Sequence, residues 1–502
     1  MLAGLEKGML RPWELNVDIV RESGTALHVQ IAQKIIDNIQ SGRFTPGVAL
    51  PGTRDLANKI KVNRKTVIQA YDELISEGWL ISENKRGTFV SNRALAINHH
   101  NKPALRIQHR KTPQPQKELT SIYSKRQAHD LIQFSEGLPD VRLLPLEMLS
   151  RAMRHALIFS ARNNKSAYGD PKGSLILREA ILQMLNIERG LHANLDNLCI
   201  VRGSQMGIFL AARIFIEPND CVVLEQLCNP LARDAFKSCG AKIQYVSLDD
   251  EGLDVDNLQL LCELYQIRAV YVTPQHQIPT TVCMSQSRRK KLLALAEQYD
   301  FLIIEDDSDH EFNYSRKATL PLASIQASNH VIYIGSLSKT LTSGFRIGYM
   351  VAPKEIIQQC ANQISLIDRQ GDIITELAIA ELLHTGEIKR HNLRTLKIYE
   401  ERYTFIISLI RKELSEFVSF TPPKCGLAIW LKVCSSIDMY RLLSDAEVEK
   451  VSMTSGTSYS ASNNLTPAIR LGFANLNNDE IRLGIQRLKA AFLNQDAKLL
   501  SA

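Results

Sequence analysis

Val331-Ile-Tyr-Ile-Gly-Ser-Leu-Ser-Lys339-Thr-Leu-Thr-Ser-Gly-Phe-Arg346 decides the fold of this 502-residue chain. An apolar run, Val331–Ile334, stops at a loop rich in hydroxyls that holds one lysine and ends in one arginine. Short apolar runs bounded by turn residues read as buried strands. Outward from this stretch lie six more: Leu198–Val201, Cys221–Glu225, Ile243–Val246, Ala269–Val272, Phe301–Glu305 and Ile347–Val351. Helix-length segments such as Arg288–Tyr299 separate many of them. Strands alternating with helices predict an α/β domain, a large doubly wound and mostly parallel sheet covered on both faces.

The loop carries chemistry as well as topology. A lone lysine among polar residues is ordinarily a solvated charge. Here Lys339 has the hydroxyls of Ser336 and Ser338 before it and the cation of Arg346 after it. A cofactor bonded through a lysine, with a phosphate to hold, needs that combination. A carboxylate set against a ring nitrogen would keep that nitrogen protonated. Asp306 closes the strand Phe301–Glu305 and precedes Lys339 by 33 residues, room for one crossover. Gly203-Ser204-Gln205 follows the strand Leu198–Val201 and opens the helix Met206–Phe215. Its backbone N–H groups and helix dipole would face an anion. Each signal is weak alone. The three in order, each after a strand, are specific.

Composition bounds the rest. Hydrophobic residues make up 45% and charged residues 23%, ordinary for a globular protein. No run of eighteen apolar residues occurs, so no membrane span is expected. The N-terminus has no apolar core followed by a cleavage site, so no secretion signal is read there. The nine cysteines form no CxxC pair. That fits reduced, buried thiols in the cytoplasm. Residues 1–120 hold 18 basic and 11 acidic side chains, whereas the remaining residues hold 42 of each. The whole excess of +7 therefore sits in the first quarter, the footprint of a part that meets a polyanion.

That first quarter has its own pattern. Val29, Ile31, Ala32, Ile35, Ile36 and Ile39 predict an amphipathic helix ended by Gly42. Thr53 would cap a short helix, Arg54 to Ile60. After a break at 61–63, Val67, Ala70, Tyr71, Leu74 and Ile75 give a further helix from Arg64 to Gly78. Two short helices joined by a tight turn read as helix-turn-helix. The second would present Asn63, Arg64, Lys65 and Thr66 to the major groove of double-stranded DNA. Trp79–Ile81 and Gly87–Val90 would form a wing with Arg86 and Gly87 at its tip, close to a phosphate. Residues 1–92 thus form a head, 93–130 a linker with Pro103, Pro113 and Pro115, and 131–502 a body.

Leu50-Pro-Gly-Thr-Arg-Asp-Leu-Ala57, Val62-Asn-Arg-Lys-Thr-Val67, Ala70-Tyr71, Glu77-Gly78 and Gly87-Thr-Phe-Val90 resemble the winged helix of GntR-type regulators. The resemblance implies DNA contacts by Arg54, Arg64, Thr66 and Gly87. Where some members use a second arginine one turn beyond Arg64, this chain has Ile68. The body resembles fold-type I aminotransferases, and the whole chain resembles the MocR subfamily of GntR regulators. That resemblance implies pyridoxal 5′-phosphate on Lys339 with Asp306 at the pyridine nitrogen. Ser204, Gln205, Ser336, Ser338 and Arg346 would hold the phosphate. Tyr168, in Tyr168-Gly-Asp-Pro-Lys-Gly173, would reach it from the second copy of a head-to-tail homodimer. Arg470, in Ile469-Arg-Leu-Gly-Phe-Ala474, would receive an effector's carboxylate.

The chain departs from that pattern at several positions. Asn229 stands where a tyrosine usually stacks on the ring, and Leu231 where some members have a second carboxylate-binding arginine. Ser308 replaces a tyrosine that bonds the ring hydroxyl, and Pro279-Thr-Thr281 replaces Pro-Ser/Thr-Gly. Lost stacking and a lost hydrogen bond would each weaken cofactor binding by about 1–2 kcal/mol. The sequence therefore predicts a DNA-binding regulator, not an enzyme, that senses pyridoxal phosphate or a small amine or amino acid. Its operator would carry repeated half-sites. The competing reading is an active aminotransferase with an appended DNA-binding head, which Lys339, Asp306 and Arg470 favour. A third is a regulator whose body only dimerises, without cofactor.

Overall fold

The computed structural model describes residues 15, 18–84, 86–92, 130–134, 137–163, 167–308, 311–314, 319–325, 329–337, 339, 341, 343–461 and 466–499. Ser338 and all but the last residue of the expected linker lie outside the described residues. Contacts divide the chain into two compact units, residues 1–123 and 124–502.

In the first unit, helices Leu27–Gln40, Thr53–Ile60 and Arg64–Ser76 are followed by the antiparallel hairpin Leu80–Glu83 and Gly87–Val90. The apolar stripes meet in one core of Ile31, Ile35, Leu56, Val67, Leu74, Trp79 and Val90. Turn chemistry sets the joints. Lys61 ends the second helix in the left-handed region at φ 54°, and Asn63 caps the third by accepting a bond from Lys65 N. One boundary differs from expectation: Gly52 is the N-cap and Thr53 the first helical residue. The Thr53 hydroxyl instead accepts a bond from Arg64 Nε at 3.4 Å, which ties the two helices together.

In the second unit all seven expected strands join one sheet. Its order is Leu198–Val201, Gly348–Val351, Val331–Ser336, Leu302–Asp306, Ile267–Val272, Cys221–Glu225 and Lys242–Val246. Only Gly348–Val351 runs antiparallel to its neighbours. Buried clusters cover the sheet: Ile208, Ala212, Phe236 and Cys360 belong to one, Ile181, Tyr333 and Tyr349 to another, Leu258, Leu292 and Ile303 to a third. Such near-continuous apolar strands are what a sheet buried on both faces requires. A separate antiparallel sheet of Val418–Ser419, Ala428–Val433, Ala468–Gly472 and Thr454–Ser455 packs on the helices Glu387–Glu413 and Asn478–Leu499. No helix among the described residues is long and apolar enough to cross a membrane. All nine cysteines are free thiols.

Candidate functional site

The first site is a surface of the head. Val67, Ala70, Tyr71 and Leu74 are buried and fix the roll of the helix Arg64–Ser76. Asn63, Arg64 and Lys65 are therefore exposed and Thr66 is half-buried. Arg54 is exposed on the preceding helix. At the wing, Gly87 has φ 117°, a backbone conformation that a side chain would strain. Arg86 is exposed beside it, paired with Glu83 and lying 5.8 Å from the Phe89 ring centroid. One expectation gains a qualification. The Asn63 side-chain oxygen is engaged with Lys65 N at 2.9 Å, so only its amide N–H groups remain to donate.

The second site lies at one edge of the large sheet. Because Gly348–Val351 runs antiparallel, Gly348 pairs with both Ser336 and Val201, and Asp306 pairs with Ile334. Register thus brings Val201, Gly348 and Ser336 to one row, with Asp306 two residues behind that row on the next strand. Gly203 begins the helix Gly203–Phe215 three residues earlier than the apolar pattern predicts, with φ 72°. A Cβ there would meet Arg346 Nη2 at 2.8 Å, and a Cβ on Gly348 would meet the Gly203 carbonyl carbon at 2.7 Å. These two glycines let three backbone segments converge. Arg346 is itself left-handed at φ 53° and donates to the Arg202 carbonyl at 3.0 Å. Its guanidinium therefore lies against the start of that helix, the end that carries the positive pole of the helix dipole. Ser204 and Gln205 are half-buried in that first turn, and Gln205 Nε2 donates to Leu231 O at 3.1 Å. Ser336 is buried, with its hydroxyl on Ile347 O at 3.4 Å, and Lys339 is half-buried three residues further on.

Asp306 is 5% exposed. Its carboxylate accepts a bond from Tyr271 Oη at 2.9 Å and another from the Ser308 hydroxyl. Burial, reinforced by the Asp306 charge, pushes the Tyr271 phenol well above its ordinary range, so the hydroxyl stays a donor. Strand alternation turns Asp307 the other way, where it pairs with Arg189 at 2.5 Å and accepts from Tyr333 Oη at 2.8 Å. Sequence reasoning missed Tyr271, Arg189 and Tyr333. An apolar strand run hides a tyrosine's hydroxyl, and nothing local pairs residues 118 apart.

Arg470 sits on one of the two inner strands of the smaller sheet, opposite Trp430 and Thr454, and is 1% exposed. Nη1 donates to Pro279 O at 2.5 Å, while Nε has no partner among the described residues. No carboxylate of the described residues pairs with it, an arrangement that disfavours burial unless an anion arrives. A cavity of about 280 Å³ adjoins this contact, lined by Gln226, Leu227, Thr280, Thr281, Trp430 and Lys432 among others. A second, of about 150 Å³, adjoins Arg202 and Arg346. Tyr168 stands apart, 76% exposed, with Arg369 4.8 Å from its ring centroid.

The departures have structural duties. Asn229 caps the helix Pro230–Ser238 by accepting from Leu231 N at 3.1 Å. Leu231 is 43% exposed. Ser308 bonds the carboxylate of Asp306. The Pro279–Thr281 loop is anchored by Gln277, whose Nε2 donates to Glu225 Oε2 at 2.8 Å and whose carbonyl accepts from Thr281 N at 2.7 Å. Thr281 takes φ 65°, where glycine would be unstrained.

Residues 129–488 match the family described as aminotransferase class I and II, and residues 27–90 match bacterial regulatory proteins of the gntR family. The chain is 24% identical over 481 residues to the probable rhizopine catabolism regulatory protein MocR of Rhizobium meliloti, spanning 94% of this chain and 95% of that one. It is 31% identical over 340 residues to the HTH-type transcriptional regulator TauR of Rhodobacter capsulatus, spanning 66% of this chain and 69% of that one. Among solved structures, the multiple substrate aminotransferase of Thermococcus profundus is similar with a TM-score of 0.70 and 28% identity, covering 74% of this chain and 93% of that one.

Proposed function

The chain belongs to the aminotransferase class I and II family and joins it to a gntR-type head in the MocR-type architecture, and from that premise we propose that it is a DNA-binding transcription regulator whose body holds pyridoxal 5′-phosphate and senses that cofactor or a small amine or amino acid. One observation carries the reading: Arg346 lies against Gly203 at a helix start and Asp306 is buried at a strand end, while Asn229 and Ser308 serve the protein's own backbone and carboxylate. Binding is retained, and ring contacts that support turnover are not.

The residues present fit the cofactor. The helix start at Gly203 and Arg346 hold the phosphate, with Ser204, Gln205, Ser336 and Ser338 supplying further donors. Asp306, buried and held by Tyr271 and Ser308, keeps a proton on the pyridine nitrogen. Lys339 is the point of covalent attachment. When bound, the cofactor supplies an aldehyde that captures amines and a ring that withdraws electrons. Arg470 orients an incoming ligand by its carboxylate, using the unpartnered side of its guanidinium. Tyr168, exposed on this copy, reaches the cofactor of a second copy in a head-to-tail homodimer.

In the head, Arg54, Arg86 and Gly87 meet phosphates, while Asn63, Arg64, Lys65 and Thr66 face base edges. Two heads then engage repeated half-sites, and the ligand acts by favouring one spacing of the heads over another. Arg470, buried with no carboxylate of the described residues beside it, favours a second reading, residual transamination. Both are tested on cofactor-loaded protein titrated with amines, amino acids and keto acids. Operator affinity that changes with ligand, without sustained turnover, is the expected result. Sustained transamination with ligand-independent operator affinity overturns it.

A further inference from the structure

The buried stripe Val67, Ala70, Tyr71 and Leu74 leaves one outward stripe on the helix Arg64–Ser76: Arg64, Lys65, Ile68, Gln69 and Asp72. Its chemistry changes along its length. Arg64 and Lys65 come first, Ile68 and Gln69 follow one turn later, and Asp72, Glu73 and Glu77 close the helix. An acidic end does not lie against phosphates, so the helix enters a groove by its first turn and a half. Ile68 then falls inside the inserted part, between two cations and an amide, with 36% of its surface exposed. Together with Lys65, Gln69, Asp72 and, from the first helix, His28, it lines a shallow hollow.

A single exposed isoleucine on an arbitrary surface needs no explanation. Within an inserted helix it has one matching partner. Isoleucine neither donates nor accepts a hydrogen bond, and the only apolar group on a major-groove edge is the thymine C5 methyl. Gln69, the next residue on the same stripe, presents an amide that fits the N6 and N7 edge of adenine. The helix rises about 1.5 Å per residue, so Arg64 and Gln69 lie roughly two base-pair steps apart. We propose that Ile68 and Gln69 are specificity-determining residues, reading a thymine methyl and an adenine in adjacent base pairs beside the base read by Arg64. This inference rests on the DNA-binding reading given above.

The test begins with selection of duplexes from a random pool by the full-length protein. Each thymine of the selected half-site is then replaced singly by uracil, which removes only the methyl. One thymine per half-site is expected to matter, its replacement weakening binding about fourfold, the loss of one buried methyl group. Ile68→Ala is expected to bind the thymine and uracil duplexes equally. Ile68 is exposed, so this variant should fold, which its melting temperature checks. Gln69→Ala should relax the selected adenine and leave the uracil effect intact. If no thymine is sensitive, or if the sensitivity persists in Ile68→Ala, the inference is overturned. If no sequence is enriched at all, the DNA-binding reading itself falls and this inference with it.

Discussion

The head displays its candidate charges, and the body buries two of its own. Arg54, Arg64, Lys65 and Arg86 are exposed, whereas Asp306 is 5% and Arg470 1% exposed. An exposed cation needs nothing from its neighbours. A buried charge is costly unless satisfied, and the two neighbouring aspartates of the body bring networks: Tyr271 and Ser308 around Asp306, Arg189 and Tyr333 around Asp307. Substitutions in the head should therefore change binding while sparing the fold, and those in the body should change both.

The sharpest way to break that contrast is to remove one partner from an ion pair in each region. Asp307→Ala leaves the Arg189 guanidinium buried without its carboxylate, and is expected to lower stability by about 3–5 kcal/mol in chemical denaturation. Arg86→Ala opens an exposed pair, Arg86 and Glu83 at 47% and 37% side-chain exposure. It should lower stability by less than about 1 kcal/mol yet weaken operator binding. Comparable losses of stability would sink the distinction.

Two further changes probe the buried side. Asp306→Ala removes the acceptor for Tyr271 and Ser308 and the anion facing the cofactor. Cofactor affinity, followed by visible absorbance during titration, should fall by about ten- to a hundredfold, the loss of a charge-assisted bond. A smaller effect is predicted with pH. Burial pushes the Glu225 carboxyl from its ordinary 4.5 up to about 7, against the opposing bond from Gln277. A raised acid binds a proton in the folded chain that the unfolded chain has already released. Its stabilisation is therefore full below about pH 4.5 and is lost as pH climbs to about 7. Body stability should decline across that window by on the order of 2 kcal/mol, and Glu225→Gln should flatten part of the slope.

The two regions were also unequally legible. The head's stripes at Ile31, Ile35, Val67 and Leu74 repeat at helical spacing, so the pattern fixes which residues point outward. Gly42 and the break at 61–63 mark joints by local turn chemistry, and Gly42 and Lys61 are both left-handed. The seven central strands were equally plain, because strands buried on both faces become unbroken apolar runs. The smaller antiparallel sheet was not, since strands as short as Val418–Ser419 and Thr454–Ser455 carry no period. Within the site, Lys339, Asp306 and Gly203 could be read because each follows a strand. Arg470 was reached only through resemblance. Its burial against the Pro279 carbonyl depends on a contact 191 residues distant, and no local pattern encodes such a contact.

The exposed side should yield smaller, cleaner effects. Arg64→Ala is expected to cost about 1–3 kcal/mol at the operator and to relax the preference at one base pair, and selected-duplex binding would show both. Arg54→Ala should instead weaken all duplexes alike and reduce the salt dependence of binding by about one ion. Exchange of these two signatures would reverse the assignment of base and phosphate contacts.

Asn63 is the residue on which the comparison turns most finely, because it belongs to both kinds of region. Like Asn229 in the body, it caps a helix with its side-chain oxygen. Unlike Asn229, it is exposed beside Arg64 and keeps its amide N–H groups for a base. Alanine would remove both roles at once and lower head stability by about 1 kcal/mol, which says nothing about DNA. Serine separates them, since its hydroxyl caps a helix nearly as well as asparagine but lacks the paired amide. If Asn63 is a cap alone, Asn63→Ser should melt within a degree or two of the parent and bind the operator equally well. If it reads a base, melting should again hold while operator affinity falls by about tenfold. The second outcome is the expected one, and it narrows the base: with its carbonyl held by Lys65 N at 2.9 Å, Asn63 reads through its amide N–H groups alone, which fit an acceptor such as guanine O6 and not the donor half of an adenine edge.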